Sequence, residues 1–528
     1  MPRFRTLFAL ACVAVLAACS PSGPQGSYLN RGNGGEPKSL DPHFIDGQWE
    51  DNVIGDLLMG LATEDAAGQP IPGAAARWET SPDGKTWTFH IRNHVWSDGV
   101  PVTSHDFALA WQRLLDPKTA APYAYNMWVV KNAEAINSGR MPVRTLGVET
   151  PDDKTFVVHL EHPAAYLPQL LMHQTALPIP RHSYLKLGNF WARQENYVSN
   201  GPYIVKEWVP NDHVTLTRNL RFYDAAHVHI DTVRYYDTTD SQAALFEFRG
   251  HQIDTQNPYP ALDIGWMKAN IPHEIRSVPY LGIDYLAINL SRKPFQDIRM
   301  REAITLAYDR EAMVYKVRRI GETPAYNMVP PGTANYPNNA RLNFQTLSRD
   351  ARLAKARALM AQMGYGPAHR FHLTFATSTN PDQRRSAALV QQMLAQIYID
   401  VSISSVELQQ HFVRLQQHDF DIANAAWIAD FNDASNFLDL LLSNSDNNYG
   451  LYRNPEFDAL IGKAQQEPDL KTRSLLMGRA EQMALNDFAW VPCYFMVTQD
   501  IVQPWVKGWI PNVRGFNRTR WLSIAGRP

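Results

Sequence analysis

Cysteine is close to absent. Three occur in 528 residues; Cys12 and Cys19 fall near the start, and Cys493 stands alone in the rest. An intrachain disulfide is therefore excluded from the body of the chain, which must rely on core burial. An excess of charge of one sign is missing too. With 50 Lys and Arg against 52 Asp and Glu, the formal net charge is −2, too weak a field to draw nucleic acid, and no nucleic-acid partner is expected. Long hydrophobic runs are also lacking: Leu7 to Leu16 is uninterrupted, but about ten residues are half of what spans a bilayer. Catalytic signatures are missing as well, with no nucleophile-elbow serine, no zinc-protease His-Glu helix and no phosphate-cradling glycine loop. Asn33-Gly34-Gly35 lacks a strand-to-helix context and reads as a turn. These absences argue against an enzyme and give no cue for a cofactor or metal.

What is present begins with an export signal. Arg3 and Arg5 precede the apolar run, so residues 1–18 read as a secretory leader. Leu16-Ala17-Ala18-Cys19 is similar to the lipobox of bacterial lipoproteins, which makes Cys19 the expected lipidation site and residues 19–27 a tether, including Ser20-Pro21-Ser22-Gly23-Pro24. A lipid-anchored periplasmic protein with a soluble body follows. Ser20 after the cysteine resembles the outer-membrane sorting pattern. More than five hundred residues then remain, too many for one core. Hydrophobic residues at 45% and aromatics at 11% describe an ordered globular interior.

Strand-like and helix-like segments alternate, which predicts an α/β body. Thr86 to Ile91 alternates with period two, a turn follows at Ser97-Asp98-Gly99, and Thr103 with Asp106 forms a capping box ahead of a helix carrying Phe107, Trp111 and Leu114 on one face. Ser348 and Gly364 bracket a helix over 350–363 with Leu353, Met360 and Met363 inward. A strand at 371–375, a helix at 382–397 and a strand at 401–403 make a βαβ unit, hence a parallel sheet. Cys493 lies in the apolar run Trp490 to Val497 and reads as a small core residue in a strand.

Two clusters are candidates for chemistry. Asp224, His227, His229 and Asp231 have metal-ligand residue types, but they fall between Phe222-Tyr223 and the strand at Thr232 to Tyr236, where polar loop residues are expected. More informative is Phe420 to Asp433, an apolar strand that ends in an aromatic and then the carboxylate of Asp430. Such a carboxylate is costly unless it caps a helix or meets a cation, from the protein or from a ligand.

Several blocks together resemble the oligopeptide-binding proteins of bacterial ABC importers over nearly the whole chain. Gly35-Glu36-Pro37-Lys38-Ser39-Leu40-Asp41-Pro42-His43, Trp96-Ser97-Asp98-Gly99-Val100-Pro101-Val102-Thr103 with Asp106-Phe107, Asn200-Gly201-Pro202-Tyr203, Phe295 to Asp309 and Ala426 to Phe431 occur in the family's order. The resemblance implies a bilobal periplasmic-binding-protein fold, with the ligand enclosed between two lobes. Lobe one would comprise 28–58, 181–281 and 498–528, with an extra subdomain at 59–180, and lobe two would be 282–497. It also implies main-chain pairing of a peptide with Asp46 to Gln48 and with Ala426 to Ile428. Asp430 would receive the ligand's α-ammonium, and Trp427 and Tyr123 would line the site. Basic residues of the family take the ligand carboxylate at different depths. Arg318 keeps such a charge, whereas Gln383 and Asn424 stand where a histidine and an arginine are expected. The family's disulfide positions fall on Gly282 and Ile428, so both partners are missing together. The expected partners are short peptides and the permease subunits of an ABC transporter, with the chain itself a monomer. A murein tripeptide, another peptide-like ligand or a sensor role is the alternative.

Overall fold

The computed structural model describes residues 27–45, 47–337 and 339–528. The leader, Cys19 and Asp46 lie outside them. Two large sheets, each with its own core, make two lobes. The first has seven strands in the order Ile275–Arg276, Asp500–Val502, Thr255–Gln256, Tyr28–Gly32, Thr232–Tyr236, His213–Arg218 and Tyr203–Val209. The second has six, Thr323–Pro324, Trp490–Val497, Pro279–Ile288, Ile422–Ile428, Phe371–Ser378 and Ile399–Val406. A four-stranded sheet of Ala75–Thr80, Thr86–Ile91, Thr155–His159 and Val148–Asp152 extends the first lobe. It shares that lobe's core through Trp87, Phe89, Phe107, Trp111 and Phe156.

Local signals explain the elements. Thr86–Ile91 buries Trp87, Phe89 and Ile91 and turns the residues between them outward, the pattern of a half-buried strand. Asp106 accepts from the Thr103 N–H at 2.8 Å, and the helix Ser104–Leu115 follows. Gly99 takes φ +96°, a conformation open to glycine, and its N–H closes the turn on the Trp96 carbonyl. Ser348 caps the helix Arg349–Gln362 through the Ala351 N–H, and Gly364 ends it at φ +86°. The strand–helix–strand unit is present as Phe371–Ser378, Pro381–Ala395 and Ile399–Val406, with the strands parallel from Phe371↔Ile399 to Ser378↔Val406.

The chain crosses between lobes where the strand Pro279–Ile288 begins and where Trp490–Val497 ends. There the Thr498 N–H donates to the Val278 carbonyl at 2.9 Å and the Ser277 hydroxyl to the Thr498 carbonyl at 2.8 Å. Away from this crossing the lobes meet through Tyr166 and Phe431, stacked at 5.0 Å, with the Arg473 guanidinium 5.3 Å from the Tyr166 ring. Among the described residues no helix is long and apolar enough to cross a membrane. Cys493 is fully buried in its strand, and burial pushes its thiol well above the usual range. Asp224 pairs with His227 and Arg520, and Asp231 with Arg218. These carboxylates are thus taken up by protein cations, and no group of three metal-ligand side chains is assembled among the described residues.

Candidate ligand-binding cleft

A cavity of about 660 Å³ opens between the lobes, lined from the first by Gln48, Tyr259 and Gly515 and from the second by Arg318, Ala426 and Tyr494 among others. Of the residues expected at the site, Gln48, Ala426, Ile428, Arg318 and Gln383 line this cavity. Asn424, Trp427, Tyr123 and Asp430 are not part of that wall.

The strand Ile422–Ile428 supplies an open edge. On one side it pairs antiparallel with Pro279–Ile288, from Ile422↔Ile288 to Ile428↔Gly282. On the other it pairs with Phe371–Ser378 only at Ile422 and Ala423. The Ala429 N–H donates to the Leu281 carbonyl at 2.8 Å, so residue 429 faces the paired side. Alternation along a strand then turns the main-chain groups of Ala426 and Ile428 to the unpaired edge. His411 covers the next group back, with its Nε2 2.8 Å from the Asn424 carbonyl. Two residues of strand edge are left facing the cavity.

Asp430 sits just past this strand, its side chain 11% exposed. Asn436 organises the turn: its Oδ1 accepts from the Trp427 indole N–H at 2.8 Å and from the Asp430 N–H at 3.2 Å. The first lobe closes over the carboxyl with Tyr125, Asn126 and His173. Tyr123 packs against Tyr125 and His173 at 5.7 and 5.6 Å. Burial raises the Asp430 carboxyl to about 7, against the pull of Asn436, Asn126, Tyr125 and the more distant Arg514. His173 Nε2 lies 3.8 Å away, but burial, reinforced by Arg514, lowers that imidazole to about 3, so it is neutral. The Asp430 Oδ2 atom is buried without a hydrogen-bond partner. Among the described residues Asp430 therefore caps no helix and makes no direct ion pair with a charged side chain, the charge of Arg514 acting on it without contact.

The wall around Arg318 differs. Arg318 Nε donates to Glu322 Oε1 at 2.8 Å, its Nη1 lies 3.7 Å from Asp382, and its guanidinium sits 5.2 Å from the Tyr494 ring. Burial works against its charge, yet Tyr494, Glu322 and Asp284 hold it protonated. Asn424 does not face the cavity as a free amide: its Nδ2 donates to both oxygens of Asp284 at 3.2 and 3.0 Å. Burial raises Asp284 to about 6, against the hydrogen bond from Asn424 and the charge of Arg318. Gln383 Oε1 accepts from the Ser378 N–H at 3.3 Å.

Sequence reasoning passed over Asp284, Glu322, Tyr125, Asn126, His173 and Asn436. A signal was visible for Asp284, a carboxylate inside the apolar run Leu281 to Ile288. The aromatic loop Tyr123-Ala124-Tyr125-Asn126 gave a weaker one. Glu322, His173 and Asn436 are far from one another in sequence and carried none.

A two-lobed α/β body with a strand edge in its cleft and a buried carboxylate just past that edge is the architecture of an extracellular binding protein. The chain belongs to the bacterial extracellular solute-binding proteins, family 5, whose model matches residues 69–449. It is 38% identical over 95% of its length to the periplasmic oligopeptide-binding protein OppA of Salmonella typhimurium, covering 93% of that protein. Its fold superposes on Haemophilus influenzae OppA in complex with RPPGFSPFR with a TM-score of 0.84 at 33% identity, covering 95% of this chain and 99% of that one. The murein tripeptide binding protein MppA of Escherichia coli gives 0.85 at 30% identity, over 95% and 99% of the two chains.

Proposed function

We propose that this protein captures short peptides in the periplasm and hands them to the permease of an ABC importer. Lobe one is formed by 28–58, 181–281 and 498–528 with its subdomain at 59–180, and lobe two by 282–497. The observation that carries the reading is Asp430, a buried carboxylate with no cation in direct contact among the described residues, beside an open strand edge. An extended peptide satisfies both. Its main chain adds to the edge at Ala426 and Ile428, which tolerates many sequences, and its α-ammonium reaches Asp430. Trp427, Tyr123 and Gln48 shape the space around it, and Arg318 and Gln383 bound the far wall, with Asn424 behind it holding Asp284. Enclosure between lobes excludes water, which strengthens the ammonium–carboxylate attraction. Binding and release suffice for delivery, and no chemical step is required of the protein.

The family and its named relatives support the peptide reading. The lipobox motif supports lipidation at Cys19, which would hold the body at a membrane surface. The test is native mass spectrometry of the protein purified without denaturation from peptide-rich medium. Bound masses matching short peptides are the expected result, and a non-peptide mass overturns the reading.

A further inference from the structure

One side chain crosses from the core of one lobe to the core of the other. Phe431 is 8% exposed and belongs to the buried core of the first lobe, and among the described residues it is the one side chain from 282–497 that does. Its neighbours stay behind: Ala434 lies in the second lobe's core and Ala429 packs against it. The turn between them is held from the second lobe at three points. Arg473 donates to both oxygens of Asp433 at 2.8 Å, a buried bidentate pair. The Ala334 N–H donates to Asn432 Oδ1 at 2.8 Å, and the Asp430 N–H to Asn436 Oδ1 at 3.2 Å. Phe431 is thus a fixed projection of the second lobe, and it seats on Tyr166 of the first with the rings 5.0 Å apart and 10° from parallel. The guanidinium that fixes the turn also stands 5.3 Å from the Tyr166 ring, so Arg473 serves both the projection and its seat. The cross-lobe contact of Lys85 Nζ with Gln466 Oε1, by comparison, is exposed and stretched to 3.5 Å, where a hydrogen bond contributes little.

We propose that Phe431 and Tyr166 are positioning residues that act as a latch between the lobes and set the rate at which a loaded cleft releases its ligand. Neither lines the ligand cavity, so both act through closure. Parting the lobes takes Phe431 out of the only core it belongs to, and burial of such a ring shifts an equilibrium roughly ten- to hundredfold. The inference rests on the peptide reading above and deepens it. Phe431 directly follows Asp430, so the turn that receives the ligand's α-ammonium is also the turn that carries the latch, and an N-terminus held at Asp430 steadies the ring in its seat. The seat in turn keeps Asp430 under the first lobe, where Tyr125, Asn126 and His173 cover it.

Release of radiolabelled tetra-alanine into an excess of the unlabelled peptide tests this, with X-ray scattering of the peptide-saturated protein as the measure of closure. Phe431→Ala and Tyr166→Ala should each speed release about tenfold or more, with a much smaller change in the association rate, and should shift the saturated protein toward a more open shape. Tyr166→Phe and Phe431→Tyr keep the stacked rings and should keep the parent rate. Because the two alanine changes remove one shared contact, the double variant should release no faster than the faster single variant. Parent-like release from both alanine variants, or rates that multiply in the double variant, overturns the latch while peptide capture stands. If tetra-alanine does not bind the unaltered protein, the peptide reading fails and this inference falls with it. Should one variant fail to fold, its partner on the other lobe reads the same latch.

Discussion

The cleft holds two sets of buried carboxylates that solve the same problem differently. At Asp430 the groups in direct contact are neutral and Arg514 acts only without contact, so burial raises the carboxyl to about 7. At the opposite wall Glu322 and Asp284 share Arg318, so part of their charge is compensated within the protein. The first end is incomplete without a ligand cation. The second is partly self-sufficient, and Arg318 there is a structural counter-ion before it is a receiver of ligand carboxylates. A positive residue in a binding cleft is thus informative only once its existing partners are known.

The largest expected effect separates the two ends by ligand affinity. Asp430→Asn leaves a buried ammonium unpaired, which costs roughly 3 to 5 kcal/mol and weakens binding of free-amino peptides by about two to four orders of magnitude. N-acetylation of the peptide should produce a similar loss in the unaltered protein and little further loss in the variant. If both changes leave affinity intact, Asp430 has no part in recognition.

The next separates them by fold stability. Arg318→Met removes the counter-ion of Glu322 and Asp284 and should cost about 3 kcal/mol of unfolding free energy at pH 8. The loss should shrink below pH 6, where Asp284 takes up its proton. Asp430→Asn relieves a desolvated charge, so at pH 8 the ligand-free variant should melt no lower than the parent. Equal destabilisation by the two changes would erase the distinction. Urea denaturation at both pH values measures it.

A third expectation is a pH profile. A carboxyl raised to about 7 in the folded, ligand-free protein is favoured in its neutral form between its ordinary value near 4 and that point, and its ionisation opposes stability above it. An ammonium ligand needs the anion. Affinity should therefore be greatest between about pH 7 and 8, falling below pH 7 by up to about tenfold per unit with a proton released on binding, and falling again above about pH 8 as the ligand's α-ammonium loses its proton. Calorimetry at pH 6 in buffers of different ionisation enthalpy detects that proton, and Asp430→Asn should abolish it.

The smallest effect concerns the edge that joins the two ends. Ala426→Pro removes a main-chain donor from the unpaired side, worth about 1 kcal/mol net, so peptide affinity should fall roughly fivefold. A small-molecule thermal-shift comparison of linear and N-methylated peptides provides the matching ligand-side change, since N-methylation at the facing residue should cost a similar amount.

Much of the fold was legible because it is encoded locally. Alternation at Thr86–Ile91, the capping box at Thr103 and Asp106, the cap and stop at Ser348 and Gly364 and the strand–helix–strand unit each depend on residues within one or two turns of each other. The cost of placing Asp430 after an apolar strand was likewise readable from its neighbours. Whether that cost is met inside the protein was not, because the answer depends on Tyr125, Asn126 and His173, more than 250 positions earlier. The same holds for Arg318. Its sequence position announces a charge and its direct partner Glu322 lies four residues on, but Asp284 comes from the distant strand Pro279–Ile288, and Asn424 reaches Asp284 only through the antiparallel register that sets residues 422–428 against 282–288. Periodicity and capping are short-range and survive in the linear chain. The ionisation of a buried carboxyl is set by what lies within a few ångströms in every direction, and only the closed tertiary structure decides that.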